Sequence, residues 1–229
     1  MNRTEGGARI LARIPARERG AALVISLMLL AIVMVLGTAA WQMGTLEERM
    51  VGQQRDRAIA FEAAEAALRD GERDILGVCA TNVPSCAARS PMINGETGFG
   101  VGGAPGTCSS TGLCMPVPGE KPDYTNTVAI AALRATTNPA SVQFGTFTRP
   151  TSAQWQLKAP NGTAPLPRQP RYVIEVLCFH GGGQGMTSSF VNSCPNPIYR
   201  VTAIGWGARQ GQPGEATEVI LQSYFSLGN

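Results

Sequence analysis

Lysine is almost missing from this chain of 229 residues, which carries only Lys121 and Lys158, and histidine occurs once, at His180. A surface that tracks phosphates needs clustered Lys and Arg, so nucleic-acid binding is excluded as a main role. With one histidine and no C-x-x-C pair, no metal-site spacing is present. Aromatic residues make up 6% and charged residues 15%, while 27 Gly and 16 Pro predict many turns rather than a helical bundle. The chain also lacks G-x-S-x-G, so the run His180-Gly181-Gly182-Gly183 has no nucleophile elbow to serve and reads as a glycine-rich loop. Cys178 and His180 would share one strand face, but a cysteine held in a disulfide cannot be a thiolate nucleophile. The stretch Gly100 to Gly106 fails the G-x-G-x-x-G pattern at Pro105. No catalytic residue and no cofactor is assigned, and the expectation is a structural protein.

What charge there is sits unevenly. Arg3, Arg9, Arg13, Arg17 and Arg19 crowd the first twenty residues against Glu5 and Glu18, and beyond Gly20 basic and acidic residues are equal in number. No charged residue then occurs from Ala21 to Leu46. A helix rising about 1.5 Å per residue crosses the hydrocarbon core with about 20 apolar residues, so this run can span a bilayer. Arginines before it predict a cytoplasmic N-terminus and a periplasmic or extracellular body. A cleaved secretory signal would have a shorter apolar core and an A-x-A-like site.

From Glu47 to Leu76 the residues EERMVGQQRDRAIAFEAAEAALRDGERDIL are strong helix formers without a proline. The helix is therefore expected to run from Ala21 to Gly77, about 85 Å by its rise. Phe61, Ala64, Leu68 and Ile75 predict one apolar stripe, and Glu65 and Arg69 an i,i+4 pair on another face. Gly37, Gly44 and Gly52 suit close packing against neighbouring helices.

The sequence RGAALVISLMLL followed by TLEERMVGQQRDRAIAFEAAEAALRDGE resembles the N-terminal signature of PilX-type minor pilins of the type IV pilus. Near the C-terminus, RYVIEVL, YRVTAIGWGARQG and ATEVILQSYF are similar to the last strands of the same family. The resemblance implies that prepilin peptidase cuts between Gly20 and Ala21 and methylates the new amino group of Ala21. It implies as partners the major pilin, other minor pilins, a PilY-like tip adhesin and the inner-membrane assembly platform. The fifth residue of that mature chain would be Ile25 where most pilins have Glu, which suits a subunit at the filament tip. The implied function is a tip or priming complex for pilus assembly, supporting adhesion and twitching motility. A minor pseudopilin of type II secretion and a signal-anchored periplasmic domain are the alternatives.

All six cysteines lie in the distal body. An even number on the exported side predicts disulfides, with fifteen connectivities possible, of which the local one joins Cys79–Cys86, Cys108–Cys114 and Cys178–Cys194. VAIAALRA is expected as a strand or short helix and VQFGTFT as a strand. RYVIEVLCF, IYRVTAIGW and TEVILQSYF predict an antiparallel meander packed over the amphipathic helix. The expected fold class is α+β and pilin-like, a long N-terminal helix on a small antiparallel sheet with disulfide-stapled loops. The expected segments are a leader over 1–20, a transmembrane helix half over 21–46, an amphipathic half over 47–77 and a periplasmic or extracellular head over 78–229.

Overall fold

The structure is a computed structural model that describes residues 18–81, 83, 85–91, 98–100, 104–117, 127–137, 139–150, 156–160, 165–177, 197–209 and 217–227. The chain divides into two compact units, residues 1–52 and 53–229. A single helix, α1 (Glu18–Leu76), runs through the boundary.

In the first unit α1 contains a stretch of mean hydropathy 2.7, none of it buried within the chain, and it is long and apolar enough to cross a membrane. Its few hydroxyls are satisfied inside the helix: Ser26, Thr38 and Thr45 donate to the carbonyls of Leu23, Val35 and Gln42 at 2.8, 2.9 and 2.9 Å. An unpaired hydroxyl would be costly in hydrocarbon, so this back-bonding lets polar residues ride in an apolar helix.

In the second unit α1 ends in a Schellman cap. Gly77, at φ 66°, turns the chain so that its N–H donates to the Asp74 carbonyl and the Val78 N–H to the Arg73 carbonyl, both at 3.1 Å. The head then builds β1 (Thr107–Cys108), β2 (Leu113–Met115), α2 (Thr127–Arg134), β3 (Val142–Gln143), β4 (Arg171–Leu177), β5 (Ile198–Trp206) and β6 (Glu218–Ser226). The sheet order is β1-β2-β4-β5-β6, with β3 also paired to β4. The last three strands form the expected antiparallel meander, Glu175 pairing Arg200 and Arg200 pairing Tyr224. The sheet is nevertheless mixed: β2 lies parallel to β4, with Leu113 opposite Ile174.

VAIAALRA folds as helix α2, whereas VQFGTFT is a strand only at Val142–Gln143. Gly145 at φ 84° turns the chain out of the ladder and ends that strand. Among the described residues the core has two halves, one on each face of the sheet. Tyr172, Ile174, Val176, Tyr199, Val201 and Ala203 meet Ala67 and Ile75 of α1. On the other face Val173, Ile204 and Trp206 meet Ala129, Ala132 and Leu133 of α2.

The buried stripe of α1 keeps Ala64 and Ile75 of the one expected and departs from it at Phe61. Ala60, Ala63, Ala64, Ala67 and Ile75 are buried, while Phe61 is 48% exposed and Leu68 only partly covered. Close approach explains the shift: a Cβ on Gly205 would overlap the Ala60 carbonyl oxygen and the Ala64 nitrogen, and one on Gly71 would lie 2.6 Å from Val201 Cγ1. Where helix backbone meets strand backbone, alanine and glycine fit and phenylalanine does not.

Candidate functional site

Two regions carry the chemistry that a membrane-anchored structural subunit needs, the apolar helix with its N-terminal junction and the polar network that fixes the head on α1.

At the junction, Gly20 and Ala21 lie in helical backbone and are exposed. Among the described residues a Cβ at Gly20 would meet nothing within 4 Å, so their packing does not call for a glycine there. Ile25 and the residues around it are equally open, as are Leu23, Leu27, Met28 and Leu30. The same freedom holds at Gly37 and Gly44, where an added Cβ would also meet nothing.

In the head, Asp70 and Asp74 sit one turn apart on the sheet-facing side of α1, both buried. Asp70 accepts the Gly145 N–H at 2.7 Å and the Thr148 hydroxyl, tying α1 to the loop after β3. Burial pushes its carboxyl above the ordinary value, against the hydrogen bonds from Thr148 and Gly145. Asp74 accepts from Nε and Nη2 along one edge of the Arg89 guanidinium, Nε–Oδ1 at 2.9 Å, and from the Tyr172 hydroxyl at 2.9 Å. Burial and then the nearby Asp74 and Asp70 charges push the Tyr172 phenol well above its usual range, so Tyr172 stays a donor. Arg89 also donates to the Thr111 carbonyl at 3.0 Å and lies over the Phe147 ring at 4.1 Å. One guanidinium thus gathers the end of α1, the β1–β2 turn and the loop after β3.

Nearer the unit boundary, Asp56 is buried, with Oδ1 accepting the Arg209 N–H at 3.0 Å. A Cβ at Gly207 would overlap this carboxylate, so a side chain there would displace Asp56 from the end of β5. Across the sheet from α1, Glu175 and Arg200 form a buried fork, Nε–Oε2 at 2.8 Å and Nη2–Oε1 at 3.0 Å. Burial opposes the Arg200 charge, but the Glu175 carboxylate and the Tyr224 side chain together outweigh it and hold the guanidinium pKa above its usual value.

Cys79 is bonded to Cys86 and Cys108 to Cys114, the second bridge linking directly opposed residues of β1 and β2. Cys178, Cys194 and His180 lie outside the described residues. Among the described residues no group of three or more metal-ligating side chains comes together.

Sequence reasoning picked out the helix, the junction and the cysteines and passed over the polar network. Asp70 and Asp74 look like solvated charges, but two carboxylates four residues apart on one face repel unless each has a partner, and that spacing was the available signal. Arg89 gave none, because its partners lie 15 and 22 residues away along the chain.

Residues 19–69 match the PilX N-terminal family, and residues 104–227 match the family described as Type IV pilus assembly protein PilX C-term. No curated protein and no solved structure matches the chain.

Proposed function

The chain belongs to the PilX family of type IV pilus proteins, and from that premise we propose that it is a minor pilin of a tip complex that primes pilus assembly. The single observation that carries this reading is the helix α1, whose stretch in the first unit is apolar and uncovered while its continuation is held in the head by an ion pair and hydrogen bonds to its buried carboxyl groups. An uncovered apolar helix is stable only in lipid or against other apolar helices, and an assembling filament offers both in turn. In this reading the chain enters the inner membrane with its N-terminus cytoplasmic and its head periplasmic. Prepilin peptidase cuts between Gly20 and Ala21 and methylates Ala21, and the subunit then moves into the pilus.

Gly20 supports that step, because a glycine with no packing role among the described residues suits a protease that must approach the backbone closely. Ile25 supports a tip position: a carboxylate in the membrane needs a partner, and a subunit with none ahead of it is better with an apolar side chain. The major pilin, other minor pilins, a PilY-like tip adhesin and the inner-membrane platform are its partners, and adhesion and twitching motility are what it supports. Its role is structural rather than catalytic.

Intact mass and N-terminal sequencing of the protein from native membranes, with and without prepilin peptidase, test this. The expected result is a chain that begins at methylated Ala21 only when the peptidase is present. Retention of the first twenty residues in both strains overturns the reading and favours a signal-anchored periplasmic domain. Correct processing with normal surface pili but failed protein secretion in a deletion strain favours a pseudopilin.

A further inference from the structure

Where β4 begins and β5 ends, the α2 face of the sheet carries an uneven share of charge. Directly opposed residues of an antiparallel pair share a face, so Arg171 lies beside Ile204 and Glu218 beside Trp206. Ile204 and Trp206 both pack against α2, which fixes that face. Arg171 and Trp206 are diagonal neighbours on it, about 7 to 8 Å apart and within reach of a long side chain. The Arg168 guanidinium lies over the Trp206 ring at 3.7 Å and so enters the same spot. Arg134, the last residue of α2, reaches it through its ion pair with Glu218. Among the described residues three guanidinium groups therefore meet one carboxylate. The next acid on that face, Glu175, is occupied by Arg200.

Neutral groups hold two of these cations in place. Arg168 stacks on Trp206 and donates from Nη2 to the Arg134 carbonyl at 3.1 Å, at the negative end of α2. Arg171 donates from Nη1 to the Ser141 hydroxyl at 3.4 Å. A guanidinium has five N–H donors, so each keeps most of them for another acceptor. Both side chains are half-buried. Burial and then the Arg168 charge push the Arg171 pKa down, with no carboxylate among the described residues to counter them. Glu218 counters burial at Arg168 only in part. This local excess stands out, because beyond Gly20 basic and acidic residues are equal in number. Cations that are fixed, repel each other and lack an anion form a prepared anion site, since the fold has already ordered them.

We propose that Arg168 and Arg171, with Arg134 at the rim, bind one doubly charged oxyanion of the phosphate class, free in solution or on a lipid headgroup. The site goes beyond the pilus reading and does not depend on it. Charge and shape select the class. Three guanidinium groups less the Glu218 carboxylate leave two positive charges, which one phosphate dianion neutralises at a single point. A carboxylate has two oxygens, which one guanidinium fork already fills, whereas a phosphate monoester has three terminal oxygens and engages both arginines. Arginines gathered at one spot hold a single group and do not form the run of cations that tracks a nucleic-acid backbone.

NMR of the arginine Nε–Hε groups tests this on the full-length chain in an uncharged maltoside detergent, as inorganic phosphate is added at constant ionic strength. The Arg168 and Arg171 signals should move together and saturate. Arg171→Gln should weaken the Arg168 response at least about tenfold, the worth of one hydrogen bond to a charged group. Arg171→Lys, which keeps the charge but loses the fork, is a second variant and should weaken it by a smaller factor. Signals that drift without saturating, or that move equally with chloride, report screening alone and overturn the proposal. An unchanged Arg168 response in a folded variant overturns it too. Tighter saturation with polyglutamate than with phosphate overturns the phosphate class in favour of an acidic protein segment. A further arm separates the sources, using phosphatidylcholine nanodiscs with phosphatidate and no free phosphate. The same shift of both signals there assigns a headgroup, and a shift seen only with free phosphate assigns a soluble anion.

Discussion

Arg89 Nε lies 2.9 Å from Asp74 Oδ1, and the same guanidinium reaches the Thr111 carbonyl at 3.0 Å. This joins the last turns of α1 to a hairpin turn far along the chain. Asp74 is fully enclosed, so its charge depends on Arg89 and on the Tyr172 hydroxyl. Removing one member of a buried pair leaves an uncompensated charge and costs about 3 to 5 kcal/mol. Arg89→Ala should therefore lower head stability by about that amount. Arg89→Lys should recover only part, because an ammonium cannot bind both carboxylate oxygens in a fork. Thermal melting of the full chain in detergent checks both. Equal melting of Arg89→Ala and the parent would show that the network does not hold the head.

Gly205 is the second point of control. A methyl group there would overlap helix backbone at Ala60 and Ala64, and a backbone cannot swing aside as a side chain can. Gly205→Ala should destabilise the head by about 1 to 3 kcal/mol as α1 and β5 are forced apart. Gly37→Ala makes the opposite case, since nothing lies within 4 Å and alanine favours helix. It should leave the monomer's melting temperature unchanged or higher. A loss of pilus assembly with Gly37→Ala would then locate close helix packing between subunits. If both variants melt like the parent, the close approach at Gly205 is not a constraint.

These glycines show where sequence reading stops. Ala21–Leu46 announces itself because a long uncharged run has few uses outside a membrane, and alternation of β-branched and aromatic residues announces β4, β5 and β6. Helix boundaries came within a few residues for the same reason: Gly77 is a C-cap wherever it follows such a run. The facing of α1 was legible in part: Ala64 and Ile75 of the expected stripe are buried and Leu68 packs against the core, but Phe61 is exposed. Residue hydrophobicity pointed to Phe61, but the approach distance at Gly205 is set by a strand far along the chain, and it selects alanine. The parallel contact of β2 with β4 was hidden for a related reason, since a strand of three residues carries too short a pattern to show.

The fork between Glu175 and Arg200 should behave as a unit. Glu175→Met alone leaves a guanidinium buried with only weaker partners and should cost about 3 to 5 kcal/mol, and Arg200→Met alone, which takes the fork from the buried Glu175 carboxylate, should cost a similar amount. Replacing both residues by methionine removes the charge problem along with the pair, and should melt closer to the parent than either single change. Chemical denaturation of the four proteins closes the cycle. Additive losses would mean that the two side chains act independently despite the geometry.

Asp70 should give the head a measurable acid response. Its carboxyl is raised above the ordinary 3.8, first by burial, so the folded chain holds that proton more tightly than the unfolded chain. A group of this kind contributes stability that is complete below pH 3.8 and is lost as pH rises through the raised folded-state value. Asp70→Asn cannot titrate and lacks this contribution to the slope. The melting temperature of the parent minus that of Asp70→Asn should therefore fall as pH rises from 3.8 through that window, then level off. The subtraction matters because other acids in the head titrate in both proteins and cancel. A difference that stays flat, or that grows with pH, would mean that the bonds from Thr148 and Gly145 outweigh burial and hold the carboxylate ionised.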